Sequence, residues 1–144
     1  MKPLNWQALL FVPLGAERHL ASAVRHRPDA IILDLEDAVA PQSKAAARAA
    51  LQAAQAAISQ AGIACVLRVN SGVAAMVADL AAADHGRLDA VLVPKCDDTR
   101  LLHNAAELTA HQIPLLALIE SPSALNALPK LARMPEVAGL MLGS

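Results

Sequence analysis

Four stretches of this chain, Leu9–Val12, Ala30–Leu33, Ala90–Val93 and Leu115–Ile119, are apolar without a polar break. That feature restricts the fold more than any other. A strand with one wet face alternates apolar and polar residues, whereas a strand covered on both faces is apolar throughout. Two further runs, Cys65–Val69 and Ala138–Leu142, complete a set of six strands. Alanine-rich stretches with scattered charge separate them and read as helices over 16–25, 42–60, 74–83, 97–111 and 121–133. Local signals mark several edges. Ser43 is placed to cap the second helix, Gly62 to end it in a left-handed turn, and Asp97 or Asp98 to cap the fourth. Ser121 followed by Pro122 is a cap with proline at the first helical position.

Strands buried on both faces and alternating with helices imply a parallel sheet. Two architectures satisfy this: an open doubly wound sheet, or a (β/α)₈ TIM barrel, which needs ~250 residues. The chain has 144 residues and closes on "GLMLGS", a strand end with no helix after it. An open-sheet domain would rarely finish there. The expectation is a single domain over 1–144, the N-terminal part of a barrel with about six of its eight strands.

Composition excludes several functions. Net charge is −1, aromatic content is 1% and no basic block occurs, so neither phosphate neutralisation nor base stacking is provided for. A nucleic-acid partner is not expected. The mean hydropathy of +0.41 owes much to alanine. No apolar run approaches the ~18–20 residues that span a bilayer. The start, "MKPLNWQALLFVP", is a poor signal peptide because Trp6 and Gln7 interrupt it. Two cysteines, Cys65 and Cys96, fit a reduced compartment, so a cytoplasmic protein is the expectation.

In parallel α/β folds the functional groups collect at the carboxyl ends of the strands. Here strand two ends in Asp34, Glu36 and Asp37, strand three in Arg68 and Asn70, strand four in Lys95, strand five in Glu120, and strand six in Gly143 and Ser144. Four successive strands thus deliver charge to one rim. Each residue also has a structural reading. Asp34 could serve only as a cap, and Lys95 only as an ion-pair partner. Arg68, inside "VLRVN", needs an anion, either an acid from strand two or a substrate carboxylate. Glu120 needs a metal ion or a lysine. The five histidines fall on helices or their ends and read as surface or packing residues. Acids plus an arginine suit Mg²⁺ held by oxygen ligands, with the arginine gripping a carboxylate, which together stabilise an enolate.

The segments "LLFVPLGAERHLASA", "DAIILDLEDAVAPQSKAAAR", "CVLRVNS", "DAVLVPK" and "LLALIES" resemble, in order, those of the HpcH/HpaI aldolase and citrate lyase beta-subunit family. The resemblance implies a phosphoenolpyruvate/pyruvate-type TIM barrel and Mg²⁺-dependent carbon–carbon lyase chemistry on an oxo-acid or an acyl-CoA thioester. It implies that Arg68 binds substrate carboxylate and carbonyl oxygens, and that Glu120 is the first metal ligand. Glu36 and Asp37 would be the acidic pair over the metal-bound waters and substrate. Lys95 would be the "PK" lysine, a second substrate contact. Family members usually assemble as homo-oligomers, trimers or multiples of them.

Two departures stand out. The family's second metal-binding acid follows strand six just beyond the position of Ser144, and the early loop carries Leu14 and Gly15 where a glycine usually follows "VP" directly. The chain is therefore expected to be a fragment of a longer protein, or to pair with another chain. The alternative to a lyase is a non-catalytic subunit or remnant that binds carboxylates or scaffolds a complex.

Overall fold

A computed structural model describes residues 4–143. Six strands and five helices alternate: β1 (Leu9–Pro13), α1 (Glu17–His26), β2 (Ala30–Asp34), α2 (Lys44–Gln60), β3 (Ala64–Arg68), α3 (Val73–Ala82), β4 (Ala90–Val93), α4 (Arg100–Leu108), β5 (Leu115–Ile119), α5 (Pro122–Leu131) and β6 (Val137–Leu142). Every neighbouring pair is parallel, and the order across the sheet is β1-β2-β3-β4-β5-β6.

That order decides between the two architectures. A doubly wound sheet reverses direction once and puts helices on both faces. Here the order never reverses. Buried helix residues such as Leu51, Ile58, Met76, Leu102 and Leu131 pack in one cluster with Ile31, Leu33, Leu67, Val91 and Ile119. The other face, built from Ala30, Ile32, Val66, Ala90, Leu92, Leu116 and Leu118, has no helix residue in its cluster. Helices on one face and packed strand side chains on the other make the wall of a TIM-type barrel. The barrel is not closed among the described residues. Leu10 on β1 and Leu140 and Leu142 on β6 are exposed at the two sheet edges, Leu142 to 78%.

The two-residue period of a strand fixes what reaches the rim. Ile32 and Asp34 share the inner face, as do Val66 and Arg68, and the parity of Leu116 and Leu118 continues to Glu120. Asp34 and Arg68 are direct partners in the β2–β3 register.

Some edges differ from the sequence reading. Ser43 occupies the cap position of α2 but makes no side-chain cap bond, because its backbone is already helical after a 3₁₀ turn over Pro41–Ser43. The fourth helix is shorter than 97–111. Thr99 holds its cap position, Asp98 bonds the Arg100 amide from outside, and Ala110 and His111 both take left-handed backbone after Leu108. Gly62 does adopt φ +70°, and Ser121 does accept the Ala124 amide at 3.0 Å. No helix among the described residues is long and apolar enough to cross a membrane.

Candidate active site

The rim residues from β2, β3, β4 and β5 converge on Arg68. Its Nη1 donates to Asp34 Oδ2 at 3.3 Å, and its Nη2 donates to Glu36 Oε2 and to Asp37 Oδ2, the latter at 3.3 Å. Glu120 Oε2 lies 4.0 Å from the same Nη2. Lys95 Nζ lies 3.0 Å from Glu36 Oε1 and 3.9 Å from Asp37 Oδ1. All five residues singled out from the sequence, Arg68, Glu36, Asp37, Lys95 and Glu120, therefore meet. Asp34, left open between cap and site, does two things: Oδ1 accepts the Glu36 amide at 2.8 Å, shaping the loop, and Oδ2 pairs with Arg68. Ser144 lies outside the described residues.

Burial sorts these groups. Glu36 is 4% exposed and Arg68 is 10% exposed at its side chain, so they form the buried pair. Asp37 is 67% exposed and stands on the rim, and Glu120 is intermediate. A cleft of about 570 Å³ opens in front of Arg68, with Phe11, Leu118, Met141 and Leu142 as apolar wall and Asp34, Asp37 and Glu120 as acids. The Arg68 guanidinium stands 5.9 Å from the Phe11 ring centroid, within reach of a cation–π contact. Two polar atoms here are buried with no hydrogen-bond partner among the described residues: Arg68 Nε and Glu36 Oε1. Lys95 Nζ stands at ion-pair distance from that same Glu36 Oε1. Contact with Glu36 and then its charge raise the Lys95 ammonium above its ordinary pKa. Partial desolvation opposes, and Asp37 and Glu120 add to the rise.

Lys95 contributes its backbone as well. It sits at φ +53°, left-handed for a residue with a side chain, and its amide donates to Glu120 Oε1 at 2.8 Å. Glu120 thus has one oxygen satisfied by a main-chain donor, which the sequence does not display. Its other oxygen, Oε2, takes no hydrogen bond among the described residues. Gly143 on the far side leaves it room: a Cβ there would stand 3.1 Å from Glu120 Cβ.

The sequence reading missed the layer beneath. Lys44, the first residue of α2, donates to Leu35 O, Glu36 O and Asn70 Oδ1, each at 2.6 Å. Asn70 donates through its amide and Nδ2 to Asp79 Oδ2 at 2.8 and 2.7 Å, and Arg48 Nε donates to Asp79 Oδ1 at 2.7 Å. Asp79 is fully buried. One signal was present: an acid inside the otherwise apolar helix "VAAMVADLAA" needs a partner. The histidines are peripheral to the rim. His85 bonds Leu80 O, and His111 bridges Glu107 and Glu136. Cys65 and Cys96 are both free and buried, and burial pushes each thiol up to about 12.

The site holds four carboxylates, of Asp34, Glu36, Asp37 and Glu120, against the two cations Arg68 and Lys95. An excess of two negative charges faces the cleft. No cluster of three acids, histidines or cysteines able to hold a metal alone occurs among the described residues. The donors present are hard oxygens, and Glu36 Oε1, Asp37 Oδ1 and Glu120 Oε2 take no hydrogen bond among the described residues. That set fits a divalent cation of the Mg²⁺ kind, which keeps several waters and takes one or two carboxylates.

Comparison with known proteins agrees with this fold. A (3S)-malyl-CoA thioesterase from Cereibacter sphaeroides is 32% identical over 140 residues, covering 96% of this chain and 49% of its own length. A citrate lyase beta subunit from Mycobacterium tuberculosis, complexed with oxaloacetate and magnesium, superposes with TM-score 0.74 at 28% identity over 94% of this chain and 56% of that one. The protein CitE from the same organism, in complex with magnesium, acetoacetate and coenzyme A, gives TM-score 0.71 at 27% identity over 96% and 49%. The chain spans about half the length of the curated relatives it matches. The family model for HpcH/HpaI aldolase/citrate lyase matches residues 7–144, and with six sequential parallel strands behind a single acid-and-arginine rim, this chain belongs to that family.

Proposed function

We propose that this chain carries the substrate-gripping rim of a Mg²⁺-dependent carbon–carbon lyase that acts on an oxo-acid or an acyl-CoA thioester by aldol or Claisen-type cleavage. The observation that carries the reading is the charge excess at the rim: four carboxylates against the two cations Arg68 and Lys95, with the Lys44 ammonium behind the Glu36 peptide as the one further offset. A carboxylate substrate alone would meet repulsion there, and a divalent cation reverses the balance.

Glu120, through its Oε2, and Asp37, through water, are the residues that would hold the ion. When bound, Mg²⁺ supplies Lewis-acid polarisation of a substrate carbonyl. Arg68 grips a carboxylate or carbonyl oxygen of the substrate, held in place by Glu36 and Asp34 behind it. Lys95, half-exposed, reaches a second anionic group. As the carbon–carbon bond breaks, its electron pair passes into the adjacent carbonyl as an enolate, and the proton of the hydroxyl on the other carbon must leave. Asp37, exposed on the rim and only loosely bound to Arg68, is the carboxylate placed to take it.

A second reading rests on the malyl-CoA thioesterase relative: the same rim could serve thioester hydrolysis. One experiment separates them. The full-length natural protein is titrated calorimetrically with Mg²⁺ and oxaloacetate, then incubated with malyl-CoA. A shorter acyl-CoA plus an oxo-acid marks the lyase, and free CoA plus the hydroxy-acid marks the hydrolase. Absence of binding, or binding indifferent to Glu120→Ala and Arg68→Ala, would leave the non-catalytic scaffold as the surviving account.

A further inference from the structure

Lys44 is oddly placed. It opens α2, where the helix macrodipole is positive and an acid is favoured. None of its hydrogen-bond acceptors is a carboxylate. Its three N–H donors are all spent, at 2.6 Å each, on the neutral oxygens Leu35 O, Glu36 O and Asn70 Oδ1. Two of these belong to the loop that presents Glu36. The third belongs to the residue two past Arg68. Asn70 also reaches Leu35 O, at 3.1 Å. It is fixed in turn by Asp79, which lies at 0% exposure and is neutralised by Arg48. The chain of contacts runs Arg48–Asp79–Asn70–Lys44 and ends on the peptide that carries Glu36. It joins α2, α3, the end of β3 and the end of β2, the two strand ends whose side chains make the buried pair.

We propose that Lys44 is a positioning residue for the rim: its ammonium sets the distance between the Glu36 loop and the Arg68 strand end, and Asp79 with Asn70 sets the ammonium. This rests on the reading of Arg68 as the substrate grip. The cost of a cation at the wrong helix end is met by order in the loop that carries Glu36. Partners behind a site group typically change affinity or rate by about 10- to 100-fold when removed.

The test uses the full-length protein with Lys44→Met, which keeps the stem and loses the charge. Lys44→Arg serves as the milder variant, since its planar fork cannot place three donors on three converging oxygens. Two readouts are taken on protein shown folded by circular dichroism. The first is exchange of the Arg68 guanidinium protons by ¹⁵N NMR, which needs no ligand. The second is oxaloacetate affinity in the presence of Mg²⁺. Expected are exchange at least about tenfold faster, and affinity about 10-fold weaker, in Lys44→Met, with Lys44→Arg in between. Both variants exchanging and binding within about twofold of the natural protein would overturn the proposal. So would an affinity loss that only tracks the unfolded fraction. If the natural protein itself takes up no oxaloacetate, the lyase reading falls, while guanidinium exchange still decides the role of Lys44.

Discussion

Lys95 offers a test that separates a backbone from its side chain. Its φ of +53° lies where only glycine is at ease and asparagine is tolerated. The gain is an amide aimed at Glu120 Oε1, 2.8 Å away. Lys95→Gly, Lys95→Asn and Lys95→Val all remove the ammonium, so differences among them report the backbone alone. Glycine relieves the left-handed strain of ~1–2 kcal/mol but loosens the unfolded chain by ~0.5–1 kcal/mol, leaving stability near that of the natural protein. Valine, β-branched, cannot sit at this φ without added strain of order 1–3 kcal/mol. It escapes by rotating the peptide, and the Glu120 bond goes with it. Urea unfolding should therefore place Lys95→Val ~1–3 kcal/mol below Lys95→Gly, with Lys95→Asn close to the glycine variant. Calorimetric Mg²⁺ affinity should be about tenfold weaker in the valine variant than in the asparagine one, a difference of ~1.4 kcal/mol. Equal stability of valine and glycine variants, with equal Mg²⁺ affinity, would refute both the strain and its purpose.

Three further outcomes are expected. The Lys95 ammonium is raised in the fold, chiefly by Glu36. Its contribution is therefore complete below the unfolded pKa of ~10.4 and fades as pH climbs through the raised folded value, so the stability gap between the natural protein and Lys95→Met, measured in urea, should narrow as the pH is taken above ~10.4. With both thiols near 12, about one in ten thousand is thiolate at pH 8, and iodoacetamide should label Cys65 and Cys96 only after unfolding, as read by mass spectrometry. Gly143→Ala brings a methyl within 3.1 Å of Glu120 Cβ and 3.2 Å of Leu118 Cδ1. It should weaken Mg²⁺ binding about tenfold while costing ~1 kcal/mol of stability in urea, because Glu120 turns where the sheet does not.

The barrel wall was legible because burial on both faces leaves a plain mark: β4 and β5 begin and end where the unbroken runs Ala90–Val93 and Leu115–Ile119 do. The rim was legible for a related reason. Strand parity carries Asp34, Arg68 and Glu120 to one side whatever the loops do. Loop and helix-end geometry was not. Nothing in "TAHQ" announces that Ala110 and His111 turn left-handed and stop α4 after Leu108. The role of Lys44 was not legible because two of its acceptors are main-chain carbonyls, which every residue has and no sequence displays. The Glu120–Lys95 hydrogen bond is invisible in the sequence for the same reason: the donor is an amide.

Strand order that equals chain order also says something about time. Each new β/α unit docks on the one just made and needs no segment still to come, so loop closure never spans more than one unit. Chain order lets Arg68 meet Glu36 once β3 joins β2, on a patch of sheet that α2 packs against through β3. Lys95 and Glu120 arrive on the next two strands and find that pair in place. In chain order, Phe11, Asp34, Asp37 and Arg68 of the cleft come with the first three strands, and Glu120 closes on them from the fifth.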